Sequence, residues 1–73
     1  MAEPEKPQIR FNGQEAPLTA PTVGALLGSM DIDPAQPGIA VALNGSVIPR
    51  AAWAHTTLHP GDAVEVVRTR QGG

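Results

Sequence analysis

The chain has no cysteine, two aromatic residues and little charge, and each shortage removes a class of protein. Without cysteine there is no disulfide to staple a small fold, and any sulfur or redox chemistry must take its sulfur from another molecule. Two histidines and scattered carboxylates do not suggest a structural metal site. Phe11 and Trp53 are the only aromatics, so Val, Ile, Leu and Ala must build the core. Five basic residues against seven acidic ones give a net charge of −2. A surface that tracks phosphates needs clustered Lys and Arg with stacking aromatics, so nucleic acid is not an expected partner. No apolar run approaches the ~20 residues of a membrane span, and the chain does not open on a charged, apolar, small-residue leader. The expectation is a soluble, unprocessed protein of the cytoplasm with no membrane partner. Its 73 residues allow one domain and one small core.

What is present reads as a short series of elements. Residues 1–7, MAEPEKP, are charged and broken by proline, and read as a disordered extension. In the next segment Ile9 and Phe11 alternate with Arg10 and Asn12, the period of a half-buried strand. Asn12-Gly13 signals a tight hairpin, and Ala16 and Leu18 continue the alternation on its return arm. Pro17 has no N–H to donate, which puts that arm at a sheet edge. Thr22 can cap a helix whose Val23, Leu26, Leu27 and Met30 form one apolar stripe, with Pro34 closing it. Gly24 and Gly28 weaken that helix by about 1 kcal/mol each, and are expected to permit close approach to a sheet.

GIAVALNGSVIP is the clearest strand signal. Ile39, Val41 and Leu43 point one way and Ala40 and Ala42 the other, which predicts an interior strand with two apolar sides. Asn44-Gly45 then turns it into a second hairpin ending at Pro49. RAAWAHTTL reads as a turn or short helix whose Trp53 plugs one end of the core. Pro60-Gly61 makes a turn, and Val64 and Val66 share one face of a last strand. The order is hairpin, helix, hairpin, crossing segment, strand, tail. It predicts an α+β domain over residues 8–67, a mixed sheet of four or five strands with one helix on one face, as in the β-grasp arrangement. Residues 68–73 are left as a flexible tail.

Within the domain, chemistry finds little support. His55 and His59 have helical metal-ligand spacing, but the segment HTTLH lacks a glutamate and proline follows it, so both read as solvated loop histidines. Asp31 and Asp33 read as turn residues. Ser46 and Thr57 have no evident base. The domain reads as a scaffold that binds no metal and no cofactor, not as an enzyme.

The tail RTRQGG is different. Two residues without side chains lose the most backbone entropy on ordering, yet their backbone can pass where a Cβ would clash. Extended, residues 68–73 reach at most ~20 Å, enough to thread a narrow channel and deliver a terminal carboxylate to a partner's active site.

FNG near the start, GIAVALNGSVIPRAAW, HPGDAVEVV and the terminal QGG together resemble the ThiS family, the sulfur carriers of thiamine thiazole biosynthesis. The resemblance runs from Ile9 to the end. It implies that an ATP-consuming, E1-like adenylating enzyme of the ThiF type joins the Gly73 carboxylate to AMP. A sulfur donor, such as a cysteine desulfurase relay, then displaces AMP and leaves a thiocarboxylate. A thiazole synthase of the ThiG type takes the sulfur. On this reading Gly73 is the covalent attachment point, and Gly72, Gln71, Arg70 and Arg68 thread and position the arm. An exposed sheet surface, not assigned to residues, supplies the docking patch. A ubiquitin-like modifier, a molybdopterin-synthase small subunit and a plain interaction domain are the alternatives.

Overall fold

The computed structural model describes residues 7–33 and 35–68. Their order is β1 (Gln8–Phe11), β2 (Gln14–Pro17), α1 (Val23–Ser29), β3 (Ile39–Leu43), β4 (Ser46–Ile48), a 3-10 helix (Arg50–His55) and β5 (Ala63–Arg68). The five strands form one mixed sheet in the order β2-β1-β5-β3-β4. β1 and β5 run parallel, and the other neighbours are antiparallel. Pro17 sits on the outer strand β2, where a missing donor is harmless. The extension expected over residues 1–7 falls mostly outside the described residues. Pro7 is tied in, its carbonyl accepting the Leu18 N–H at 3.0 Å.

Both hairpins turn on two residues at positive φ, Asn12 (50°) with Gly13 (83°) and Asn44 (52°) with Gly45 (86°). That pair of angles matches the right-handed twist of the flanking strands. His59 to Asp62 form the third tight turn, with Pro60 fixing one φ, Gly61 at 88°, and the Asp62 N–H reaching the His59 carbonyl at 3.1 Å.

Helix α1 starts as expected, the Thr22 hydroxyl accepting the Ala25 N–H at 3.1 Å. Its stripe of Val23, Leu26 and Leu27 is buried, and Met30 packs half-buried beside it. The end is set by Asp31, not by Pro34. Asp31 takes φ 61° and gives its N–H to Gly28 O, and the Ile32 N–H returns to Leu27 O at 3.0 Å. This double closure satisfies the last carbonyls, and Ile32 is buried with Leu27 in the core. Pro34 lies outside the described residues.

The two helix glycines correct a second expectation. Neither faces the sheet. A Cβ on Gly24 would stand 3.1 Å from Ala54 Cα in the 3-10 helix, whereas one on Gly28 would meet nothing within 4 Å. Gly24→Ala is therefore expected to lower stability, and Gly28→Ala to raise it by about 0.5–1 kcal/mol through a less mobile unfolded chain. Urea unfolding of the two variants checks the opposite signs.

The core lies between α1, the 3-10 helix and one sheet face, and holds Ile9, Leu27, Val41, Trp53 and Val64 among others. Trp53 plugs it as expected. The side chain is 2% exposed and its Nε1–H donates to the Ile48 carbonyl at 2.9 Å. β3 is interior, but its two sides differ. Val41 is buried, while Ala40 is exposed on a face that no element among the described residues covers.

Candidate functional site: the last strand and the open sheet face

The tail predicted to carry the chemistry leaves the domain through β5. That strand runs one residue further than the apolar pattern, to Arg68, which pairs with Ile39 of β3. Arg68, assigned to the tail by sequence, thus belongs to the sheet and is exposed there. It is the one predicted arm residue that can be located. Arg70, Gln71, Gly72 and Gly73 lie outside the described residues.

β5 is held between β1 and β3, and on each side an asparagine side chain supplies one of its hydrogen bonds. Along β1 the parallel ladder runs through Arg10 N–H to Asp62 O (2.8 Å) and Asn12 N–H to Val64 O (2.9 Å). The next rung would join the Val66 N–H to the main-chain carbonyl of residue 12. At positive φ Asn12 turns its main chain into the hairpin, and its side-chain Oδ1 accepts the Val66 N–H instead, at 2.9 Å. Asn44 does the same on the other side. Its N–H donates to Ala63 O at 2.7 Å, and its Oδ1 accepts the Ala63 N–H at 2.9 Å. Sequence reasoning credited both asparagines only with tolerance of the turn. The second role needs β5 between the two hairpins, which no local signal shows.

Asp62 secures the entry to β5. Its Oδ1 accepts from Asn44 Nδ2 at 3.1 Å and its Oδ2 from the His59 N–H at 2.8 Å, with the His59 ring Nδ1 at 3.8 Å. Desolvation pushes its pKa up, but the Asn44 bond, the His59 N–H and the attraction of the His59 ring outweigh that and hold it below the ordinary 3.8. A lowered folded value means a contribution complete above the ordinary pKa and lost as pH falls below it. Asp62→Asn is therefore expected to lose more stability near neutrality than in strong acid, a difference that urea unfolding at the two pH values measures.

The open face of the sheet has a definite composition. Alternation puts Ala40, Ala42, Val47 and Val67 on the side away from α1. Ala40 pairs with Val67 and Ala42 with both Val47 and Glu65. Val47 is 74% and Val67 55% exposed, the large hydrophobics most open to solvent among the described residues. Alanines in the middle with valines beside them, and the exposed Glu65 next to Ala42, make a flat, mostly apolar face that ends one residue before Arg68.

The remaining sequence candidates are not assembled for catalysis. His55 ends the 3-10 helix and His59 lies in the turn beyond Leu58, both exposed. Among the described residues no three His, Cys, Asp or Glu side chains cluster as a metal site. Asp33 Oδ1 accepts the Ala35 N–H at 2.9 Å, ordinary turn chemistry like that of Asp31. Ser46 opens β4 opposite Leu43, and Thr57 bridges Thr22. A groove between α1 and the first hairpin is lined by Ile9, Phe11, Leu26 and Met30, and the hydroxyl of Ser29 beside it is committed to Leu26 O at 2.7 Å. No described helix is long and apolar enough to cross a membrane.

Five mixed strands in this order, with one helix on one face, define a β-grasp domain, here with a last strand between its two hairpins leading to a glycine-ended segment. The ThiS family matches residues 9–73, so the chain belongs to that family, the sulfur carriers of thiamine biosynthesis. The crystal structure of a thiamine biosynthesis protein (ThiS) from Geobacter metallireducens is similar at 33% identity and TM-score 0.73, covering 90% of this chain and 99% of that one. A solution structure of a thiamine biosynthesis protein from the same organism is similar at 32% identity and TM-score 0.72, covering 90% and 87%. No curated protein matches the chain.

Proposed function

We propose that this protein is not an enzyme but the co-substrate of two, carrying sulfur as a thiocarboxylate on Gly73 for thiazole formation. The observation that carries the reading is that the family match runs through Gly73 itself. A carboxylate is a poor electrophile, because its charge is delocalised and oxide is a hopeless leaving group. An E1-like enzyme activates it with ATP, forming the Gly73 acyl-adenylate and releasing pyrophosphate. A persulfide from a desulfurase relay then attacks the acyl carbon and AMP leaves; a second thiol cleaves the resulting acyl disulfide, becoming a disulfide with the relay sulfur and leaving the thiocarboxylate. Thiazole synthase takes up that sulfur. The carrier needs no cofactor of its own, and on this reading it works in the cytoplasm beside its ATP-consuming partner.

The chain's own residues position this chemistry. Gly72 and Gly73 present a backbone slim enough for a narrow channel. Arg68, Arg70 and Gln71 orient the arm, the arginines against carboxylate or phosphate. Ordering five residues beyond Arg68 costs about 1–2 kcal/mol of backbone entropy each, so the domain must add affinity. The sheet face that carries Ala40, Ala42, Val47 and Val67, with Glu65 beside Ala42, is the docking patch on this reading, since it leads to the root of the arm. The test is an intact mass after incubation with the adenylating enzyme, ATP and a sulfur donor. Replacement of one oxygen by sulfur, confined to the C-terminal peptide, is expected. An unchanged mass overturns the reading.

A further inference from the structure

The two asparagines do the same job on opposite sides of β5, but only Asn12 acts in the half that leads to the arm. Asn44 binds Ala63, the first residue of the strand, and Asn12 binds Val66, two residues before its end at Arg68. β1 itself stops pairing at Phe11 with Val64. The Oδ1 of Asn12 therefore carries the bonding of β5 on that side past the point where β1 turns away.

We propose that Asn12 is a positioning residue for the C-terminal arm, its side-chain carbonyl standing in for a strand rung so that the arm leaves the sheet from an ordered root. The inference rests on the carrier reading above. Without that bond the last residues of β5 keep only the antiparallel partner β3, through Val66 with Val41, Val67 with Ala40 and Arg68 with Ile39. A fraying root is competent to enter a partner only part of the time, and apparent affinity falls by that fraction. The acyl carbon and its attackers are unchanged once the arm is seated. The effect thus falls on KM and spares kcat.

Asn12→Gly is the direct test, because glycine accepts the positive φ of the turn and removes only the side chain. Asn44→Gly is the control at the far end of the same strand, where it removes the Asp62 bond as well as the Ala63 bond and so perturbs the strand at least as much, and Asn12→Asp restores an acceptor oxygen. Each is assayed as substrate of the adenylating enzyme with ATP, at a temperature where all are folded, and by amide hydrogen exchange. Asn12→Gly is expected to raise KM about three- to tenfold at constant kcat and to speed exchange at Val66, roughly the effect of one lost hydrogen bond. Asn12→Asp should return both toward wild type, and Asn44→Gly should leave KM near wild type while speeding exchange at Ala63. Equal KM in the two glycine variants overturns the inference while the carrier reading stands, as does undisturbed exchange at Val66. Failure of the wild-type chain to be adenylated sinks the carrier reading, and this role of Asn12 with it.

Discussion

A chain lacking Gly72 and Gly73 is expected to unfold at the same urea concentration as the full chain and to gain no sulfur. The core cluster and all five strands are complete by Arg68, so the fold does not depend on the last two residues. The chemistry does. Removing two residues draws the terminal carboxylate back by about 7 Å and puts the long side chain of Gln71 on the Cα next to the carbon to be activated. A misplacement of only ~1 Å can cost about 100-fold in rate, so a loss of at least that size is expected, with loading undetectable by intact mass. Gly73→Ala is the milder companion. It keeps the length and adds one Cβ, and should be loaded slowly if the channel is narrow. Truncated protein loaded at the rate of the full chain would mean that Gly73 is not the attachment point. Gly73 joined to lysine amines would identify a modifier instead of a carrier.

Trp53→Ala should give the largest loss of stability of any single substitution. The indole is 2% exposed, closes the core beneath the 3-10 helix, and is the one aromatic among the fully buried core residues described, Phe11 packing only half-buried at the edge. Truncating such a side chain costs about 3–5 kcal/mol. Small domains lie near the low end of the usual 5–15 kcal/mol, so the variant should be largely unfolded at room temperature, as read by circular dichroism. Trp53→Phe separates the contributions. It keeps most of the apolar volume but leaves the Ile48 carbonyl without the indole N–H, a loss of about 1–3 kcal/mol. The Arg50 guanidinium, 4.7 Å above the ring, adds the smaller share, about 0.5–1 kcal/mol as an exposed cation over an aromatic face. A Trp53→Ala protein with wild-type unfolding would show that the plug is not needed.

The same two regions show how far the sequence could be read. The tail stood out because a glycine pair is an unusual ending, and the resemblance of the preceding segments gave it a chemistry. The plug was legible because Trp53 is the only tryptophan in an aromatic-poor chain. The docking strip was not. Ala40 and Ala42 were read as one side of a strand apolar on both faces, and only the pairing with Val67 and Val47 shows that this side is open. Gly24 was read as facing a sheet, but the backbone it lets close is that of Ala54, thirty positions along the chain.

Sequence alone determined the hairpins, the helix stripe and the three tight turns, because each depends on φ preferences and apolar periods within about ten neighbouring residues. Tertiary structure decided that β5 enters between β1 and β3, which side of the sheet stays bare, and that Asn12 meets Val66 across 54 positions. Contacts at that distance arise from burying one shared core, and no local preference encodes which strands that burial brings together.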